Sequence, residues 1–429
     1  MTNWNVVVQE PGNAFSLHSS AVDPCLEIAL PSSNAPNRIR TNFFDLLPND
    51  TLLTPELLDL TMLSMVVYSS DTKIPRDISS DRWTRKIRIY MPVTQVSRWQ
   101  AASKQLEDTL RFLSGDEWQF EFRKSVSQHG MDGATKQDCD AVCLLSGGLD
   151  SLVGAIDLLA NSKRVALVGH HGAGITNTVQ QNVLAQLQGR YGKFVEPFNF
   201  YVQAPSIANA PNEQTMRARS FLFICLGLAT VHCVGKGELT VPENGFISLN
   251  VPLTSARIGS MSTRTTHPYF IESLVELLRK LAIPLKITLP YQFLTKGEMI
   301  AAALDQQTLW RCIPKTMSCT HPESGRYAGK SPTNHCGYCV PCIIRRAALR
   351  RAGKDPTKYN VSIKRKPPDC GTGRGRDLRA FLMAVERYKT RKPHQVMFDV
   401  LASGPLEPLR IGDFVDLYRR GMAEVTAIL

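Results

Sequence analysis

Ser146-Gly147-Gly148-Leu149-Asp150-Ser151 decides the reading of this chain, because of what flanks it on either side. Ala141 to Leu145 is a short apolar run of the kind that forms a buried strand, and the spacing predicts an apolar helix from Leu152 to Ala160. A glycine pair between a buried strand and a helix leaves backbone N–H groups free beside the positive end of the helix dipole, a setting that favours an anion. Gly147 and Gly148 let the backbone turn tightly and approach phosphate oxygens with no Cβ in the way. Ser146 and Ser151 add hydroxyl donors, and Asp150 is suited to hold a Mg²⁺ ion or to brace the loop. No Gly-Lys-Ser/Thr follows, so this is not a Walker A loop.

Outward from the loop the rhythm is βαβα. Val165 to Val168 predicts a second buried strand, Phe194 to Tyr201 a third, Met216 to His232 a long helix, and Leu239 to Val241 a further strand. Such alternation predicts an α/β domain with a parallel sheet and a ligand crevice at the carboxyl ends of the strands. His170 and His171 follow the second strand, where that crevice opens. We place this domain at 138–355. Residues 1–137 read as a separate α+β unit, with a helix started by Thr54-Pro55-Glu56 and strands alternating at Ile87, Ile89, Met91 and at Trp118, Phe120, Phe122. Residues 356–429 read as a basic, mainly helical extension. Gly371 to Arg376 is a glycine- and arginine-rich turn with no strand before it.

Composition narrows the class. The chain has 429 residues, 43% hydrophobic and 21% charged, with no run of about 18 apolar residues to span a bilayer. Its first residues lack the basic and apolar regions of a secretory signal, which points to a cytoplasmic protein. The net charge of +12 resides in one window: 343–392 holds 16 Lys and Arg against 4 Asp and Glu, while the rest balances at 34 of each. That window is either a solvated face or a contact for nucleic acid or another acidic partner.

Eleven cysteines in a reducing compartment argue for metal or catalytic thiols over disulfides. Four are spaced as a metal site: Cys319, then Cys336-Gly-Tyr-Cys339-Val-Pro-Cys342. Four thiolates match tetrahedral structural zinc, which leaves no open position for water. An iron–sulfur cluster and unligated thiols are the alternatives, and His321 and His335 stand close enough in sequence to replace a ligand.

Together these motifs resemble a known family. SGGxDS looks like the pyrophosphate loop of PP-loop ATP pyrophosphatases, and C…CGxCxxC followed by Arg345-Arg346-Ala347 is similar to the QueC-like, 7-cyano-7-deazaguanine synthase family. Intervening matches are Arg219 with Phe223, Glu243-Asn244-Gly245, Asn250 and Thr295-Lys296-Gly297-Glu298, so the resemblance covers about 138 to 352. It implies cleavage of ATP between the α and β phosphates, with Mg²⁺, to activate a 7-deazaguanine carboxylate for attack by a nitrogen nucleophile. Four departures stand out: the N-terminal unit, the basic extension, a Cys319 further from Cys336 than is usual in the family, and Ile258-Gly-Ser-Met-Ser-Thr-Arg264-Thr-Thr-His267 in place of an acidic stretch. These features resemble the long QueC-like proteins of bacterial anti-phage systems of the Qat type, which implies a partner-protein amine as acceptor. A homodimer is compatible with the resemblance.

On this basis Ser146, Gly147, Gly148, Leu149, Asp150, Ser151 and His170 are expected to bind ATP, with Asp150, Ser151, Lys296 and Arg219 catalytic. A lysine and an arginine reaching the phosphates would neutralise the departing pyrophosphate. Asn244, Asn250, Arg264 and His267 lie in a polar, glycine-punctuated segment suited to a purine-like substrate. Ammonia as acceptor, in an ordinary synthase, is one alternative. Another is a tRNA-modifying PP-loop enzyme, which needs a reactive cysteine or cluster near ATP, whereas Cys143 belongs to a buried strand. A third is a partner that binds nucleotide without turning it over.

Overall fold

The computed structural model describes residues 3–17, 23–47, 53–126, 138–172, 174–206, 213, 215–254, 264–326 and 329–429. The stretch 258–263 and the boundary drawn at 137 lie outside the described residues. The strands are β1 (Asn3–Gln9), β2 (Cys25–Ala29), β3 (Arg40–Thr41), β4 (Lys86–Val93), β5 (Glu117–Lys124), β6 (Ala141–Leu144), β7 (Val165–His171), β8 (Val195–Gln203), β9 (Glu238–Thr240) and β10 (Lys286–Thr288).

The larger sheet has the order β10-β9-β6-β7-β8-β3, parallel throughout except where β3 pairs antiparallel with β8. Its central strands β6 and β7 are buried on both faces, which is why they read as unbroken apolar runs, whereas β8 alternates. Val142 and Leu144 of β6 enter one core with the helix Arg219–Val234, while Cys143 and Leu145 enter another with the helix Leu149–Ala160. From β6 the chain proceeds outward through β7 and β8 on one side, and later returns to build β9 and β10 on the other. The carboxyl end of β6 is therefore a topological switch point, the place where open α/β sheets hold ligands.

The N-terminal unit departs from the α+β expectation. Its sheet, β2-β1-β4-β5, is parallel at every pairing, and β4, the helix Val96–Ser114 and β5 form a βαβ unit. Pairing direction is set by long-range packing, so the alternating strands at 87–91 and 118–122 carry no mark of it. Nor does the unit have a core of its own. Its helix Pro55–Lys73 packs on Arg219–Val234, and one apolar cluster runs from Val6 and Trp99 through to Val168 and Phe270. β3 pairs with β8 at the edge of the larger sheet.

The C-terminal segment carries helices Arg376–Thr390, Pro393–Leu401 and Ile411–Thr426. Phe381, Val400, Leu417 and Tyr418 bury themselves with Phe246, Ile343 and Ala347. Among the described residues no helix is long and apolar enough to cross a membrane.

Candidate functional site

The SGGLDS turn sits at the carboxyl end of β6, with Gly148 capping the helix Leu149–Ala160. Gly148 brings no capping side chain of its own to that helix start, where the Leu149 amide meets Ser318 Oγ at 3.3 Å, and the positive end of the helix dipole favours an oxyanion. Gly147 has φ +84°, and a Cβ there would lie 2.9 Å from Val179 Cγ1. Only glycine adopts that turn without strain. The Ser146 and Ser151 hydroxyls are 3.1 Å apart, Ser151 donates to Gly148 O at 3.1 Å, and Gly148 N donates to Ser146 Oγ at 3.3 Å.

Asp150 is the hub. Its Oδ2 accepts from Asn244 Nδ2 at 2.6 Å, and its Oδ1 is 2.6 Å from Lys296 Nζ. Lys296 opens the helix Lys296–Ala302, whose start is held by a capping box between Thr295 and Glu298. Asn244 caps the helix Gly245–Leu249 by accepting from Ile247 N. A Cβ on Gly245 would come within 1.8 Å of Gln292 O, so only glycine permits that close approach. Beside the pair lies Glu243, whose carboxyl is pushed up by burial and by Asp150 while Thr266 donates to it at 2.7 Å.

His170 and Arg219 come together at the carboxyl end of β7. Arg219 donates to His170 O at 3.0 Å and to its Nδ1 at 3.4 Å. Burial, reinforced by Arg219, pushes the His170 imidazolium down to about 3, so the ring is neutral at physiological pH. Gln180 ties this corner to the loop, donating to Leu145 O at 3.1 Å and to His170 O at 3.3 Å. The N-terminal unit takes part as well: Tyr68 packs edge-on against His170 at 5.6 Å, and Asp71 accepts from Ala218 N at 2.8 Å, directly before Arg219.

The four cysteines converge, with ligand atoms all within 4.8 Å of one another. In a tetrahedron with metal–sulfur bonds of about 2.3 Å the sulfurs stand roughly 3.8 Å apart. Cys336–Cys342 at 3.8 Å and Cys319–Cys339 at 3.9 Å match this. Amides also point at sulfur, from His321 N and Cys336 N to Cys319 Sγ at 3.3 Å and from Cys339 N to Cys336 Sγ at 3.4 Å. That environment suits thiolates, and the cluster could hold a metal ion, with zinc consistent with its geometry. His335 is engaged elsewhere, accepting from Ser318 N at 3.2 Å. Ser318 in turn accepts from Leu149 N at 3.3 Å, so the cysteine segment buttresses the loop directly.

The expected substrate residues divide. Asn244 is part of the Asp150 hub, and Asn250 ends the helix Gly245–Leu249 in a left-handed conformation with φ +47°. His267 is fully buried, capping the helix Pro268–Lys280 through Tyr269 N and bonded to Ser403 at 3.2 Å. Arg264 lies 4.3 Å over the Phe112 ring and donates to Phe112 O. The structure thus gives Arg264 and His267 packing and capping contacts that join the N-terminal unit and the extension. Ser318 and Glu424, the latter bonded to Thr295, are site neighbours that motif spacing does not single out, and adjacency to Cys319 was the available signal for the first. Cys143 is fully buried and burial pushes its thiol up, which removes it as a reactive sulfur.

Residues 265–353 match the family model described as Queuosine biosynthesis protein QueC. The match supports a QueC-like, ATP-utilising function for this segment. It contains Lys296 and all four cysteines but ends short of the extension and begins after the SGGLDS loop. No curated protein matches the chain.

Proposed function

We propose that this protein adenylates the carboxylate of a 7-deazaguanine acid with ATP and passes the activated acyl group to a nitrogen nucleophile. The observation that carries this is the 2.6 Å contact between Lys296, inside the QueC-matched segment, and Asp150, inside the phosphate-type loop outside it. One contact joins two independent lines of support.

In this scheme a carboxylate oxygen attacks the α-phosphorus, the bond to the β-phosphate breaks, and pyrophosphate leaves. The nitrogen then attacks the acyl carbon, the C–O bond to AMP breaks, and the nitrogen loses a proton. Loop amides, Ser146, Ser151 and the Lys296 ammonium stabilise charge on the departing oxygens, and Arg219 holds the neighbouring corner of the crevice. Asp150, whose oxygens meet Lys296 and Asn244, would be the carboxylate to hold Mg²⁺, which would supply neutralisation of phosphate charge. The cysteines would hold zinc as a structural brace behind Leu149. As acceptor we take an amine on a partner protein of an anti-phage system, supported by the folded surface that the chain adds outside 265–353. An acidic partner would be drawn to the basic window at 343–392.

Acid-dependent exchange of labelled pyrophosphate into ATP tests the first step. Exchange that requires 7-carboxy-7-deazaguanine is expected; exchange indifferent to the acid would sink the proposal.

A further inference from the structure

A cavity of about 290 Å³ lies between the helix Gly245–Leu249, the segment after Cys319, and the helices Val340–Arg351 and Arg376–Thr390. Phe246, Ile247 and Phe381 supply apolar and aromatic wall, while Asn250, His321 and Arg374 bring polar groups to it. Its volume is at the small end of the roughly 300–1,000 Å³ that small-molecule sites occupy, and the mixture of apolar wall with a few polar groups is typical of them. That size suits one base-sized ring system rather than a whole nucleotide.

Two short paths join the cavity to the phosphate loop. The five residues Gly245–Leu249, about 7.5 Å of helix at 1.5 Å per residue, connect Asn244 on Asp150 to Asn250 at the cavity. On the other side, Ser318 bonded to Leu149 is followed two residues later by Thr320, which lines the cavity. No residue of the loop lines the cavity, so a ring held here would not compete for the loop amides. The wall formed by Arg374 and Phe381 belongs to the extension, beyond the matched residues 265–353.

We infer that this cavity is the acid subsite: it takes a flat, hydrogen-bonding nitrogen heterocycle carrying a carboxylate, and the C-terminal extension completes it. The inference rests on the proposed function and deepens it. Aromatic and aliphatic faces sandwich the ring, Asn250 meets its amide edge, and Arg374 adds positive charge at an exposed position.

Calorimetric titration of 7-carboxy-7-deazaguanine and, separately, of ATP into the full chain tests this. Ile247→Trp fills the cavity from a half-buried position, and Arg374→Ala truncates an exposed side chain that also bonds Tyr338. Both variants should weaken binding of the acid, Ile247→Trp by at least about tenfold, while leaving ATP affinity within about twofold. Asp150→Ala should show the opposite pattern. If the wild type binds the acid and neither variant weakens it, the subsite assignment falls and the adenylation proposal stands. Absence of acid binding to the wild type overturns both.

Discussion

Lys296 Nζ lies 2.6 Å from Asp150 Oδ1, with the two side chains only 3% and 11% exposed. A near-buried pair of this kind is costly to break one-sidedly, because the surviving charge is left without a partner. Lys296→Ala should lower the unfolding free energy by about 3 kcal/mol in denaturant titration. Lys296→Arg, which retains charge without the ammonium's reach and shape, should recover most of the stability but little pyrophosphate release. Full activity in the arginine variant would remove Lys296 from the phosphate site.

Ser151 offers a cleaner separation of chemistry from stability. Among the described residues its hydroxyl bonds Ser146 Oγ and Gly148 O, both within the loop. Ser151→Ala should therefore melt close to wild type while AMP formation falls about 100-fold. Turnover within about threefold of wild type would contradict a phosphate role, since loss of one transition-state contact typically costs far more.

The cysteine cluster should bind one zinc ion per chain, measurable by elemental analysis of purified protein. Cys339→Ser, or prolonged chelation, should lower the melting temperature, because ligand binding is coupled to folding. Ser318 links the cluster to Leu149, so metal loss should also weaken ATP binding. Iron with acid-labile sulfide would replace zinc by a cluster.

Asp59 provides a pH signature for the N-terminal unit. Burial raises its carboxyl to about 6 despite hydrogen bonds from Thr94 and Trp99. A raised folded pKa means that the native state binds the proton more tightly than the unfolded chain. Its contribution is complete below about 4 and is lost as pH rises through about 6. Asp59→Asn, whose amide oxygen can still accept from Thr94 N and Trp99 Nε1, should be less sensitive to pH across that window. Parallel stability–pH curves for the two proteins would show that Asp59 is ionised throughout.

Glu424 ties the extension to the same lysine. It is buried, accepts from Thr295 Oγ1, and pairs with Arg351 at 2.9 Å, while Arg420 contacts Glu298. Thr295 is the cap residue of the helix that begins with Lys296. Glu424→Ala should destabilise the protein and lower turnover more than it changes ATP affinity, whereas Glu424→Gln, still an acceptor for Thr295, should restore part of both. Equal loss in the two variants would argue that charge pairing with Arg351, rather than the cap, is what matters.

What was legible in the sequence follows the range of the interactions concerned. Ser146 to Ser151 and Cys336 to Cys342 carry their chemistry in adjacent residues, so strand, turn, helix and ligand spacing can all be read from local pattern. The Asp150–Asn244 bond spans 94 residues and the Thr295–Glu424 bond 129, and no periodicity marks either. The same holds for the N-terminal sheet, where β1 lies between β2 and β4. Its strand pattern is equally compatible with antiparallel pairing, and only the packing of the intervening helices decides. His267 shows a local role that its position does mark: directly before Pro268 at a helix start, it serves as an N-cap.

The most direct test of the central claim is product analysis of a reaction containing the full chain, ATP, Mg²⁺ and 7-carboxy-7-deazaguanine, followed by phosphorus NMR. AMP and pyrophosphate should appear together, only when the acid is present, and should vanish in Asp150→Ala. ADP with inorganic phosphate, or AMP formed at the same rate without the acid, would contradict the account.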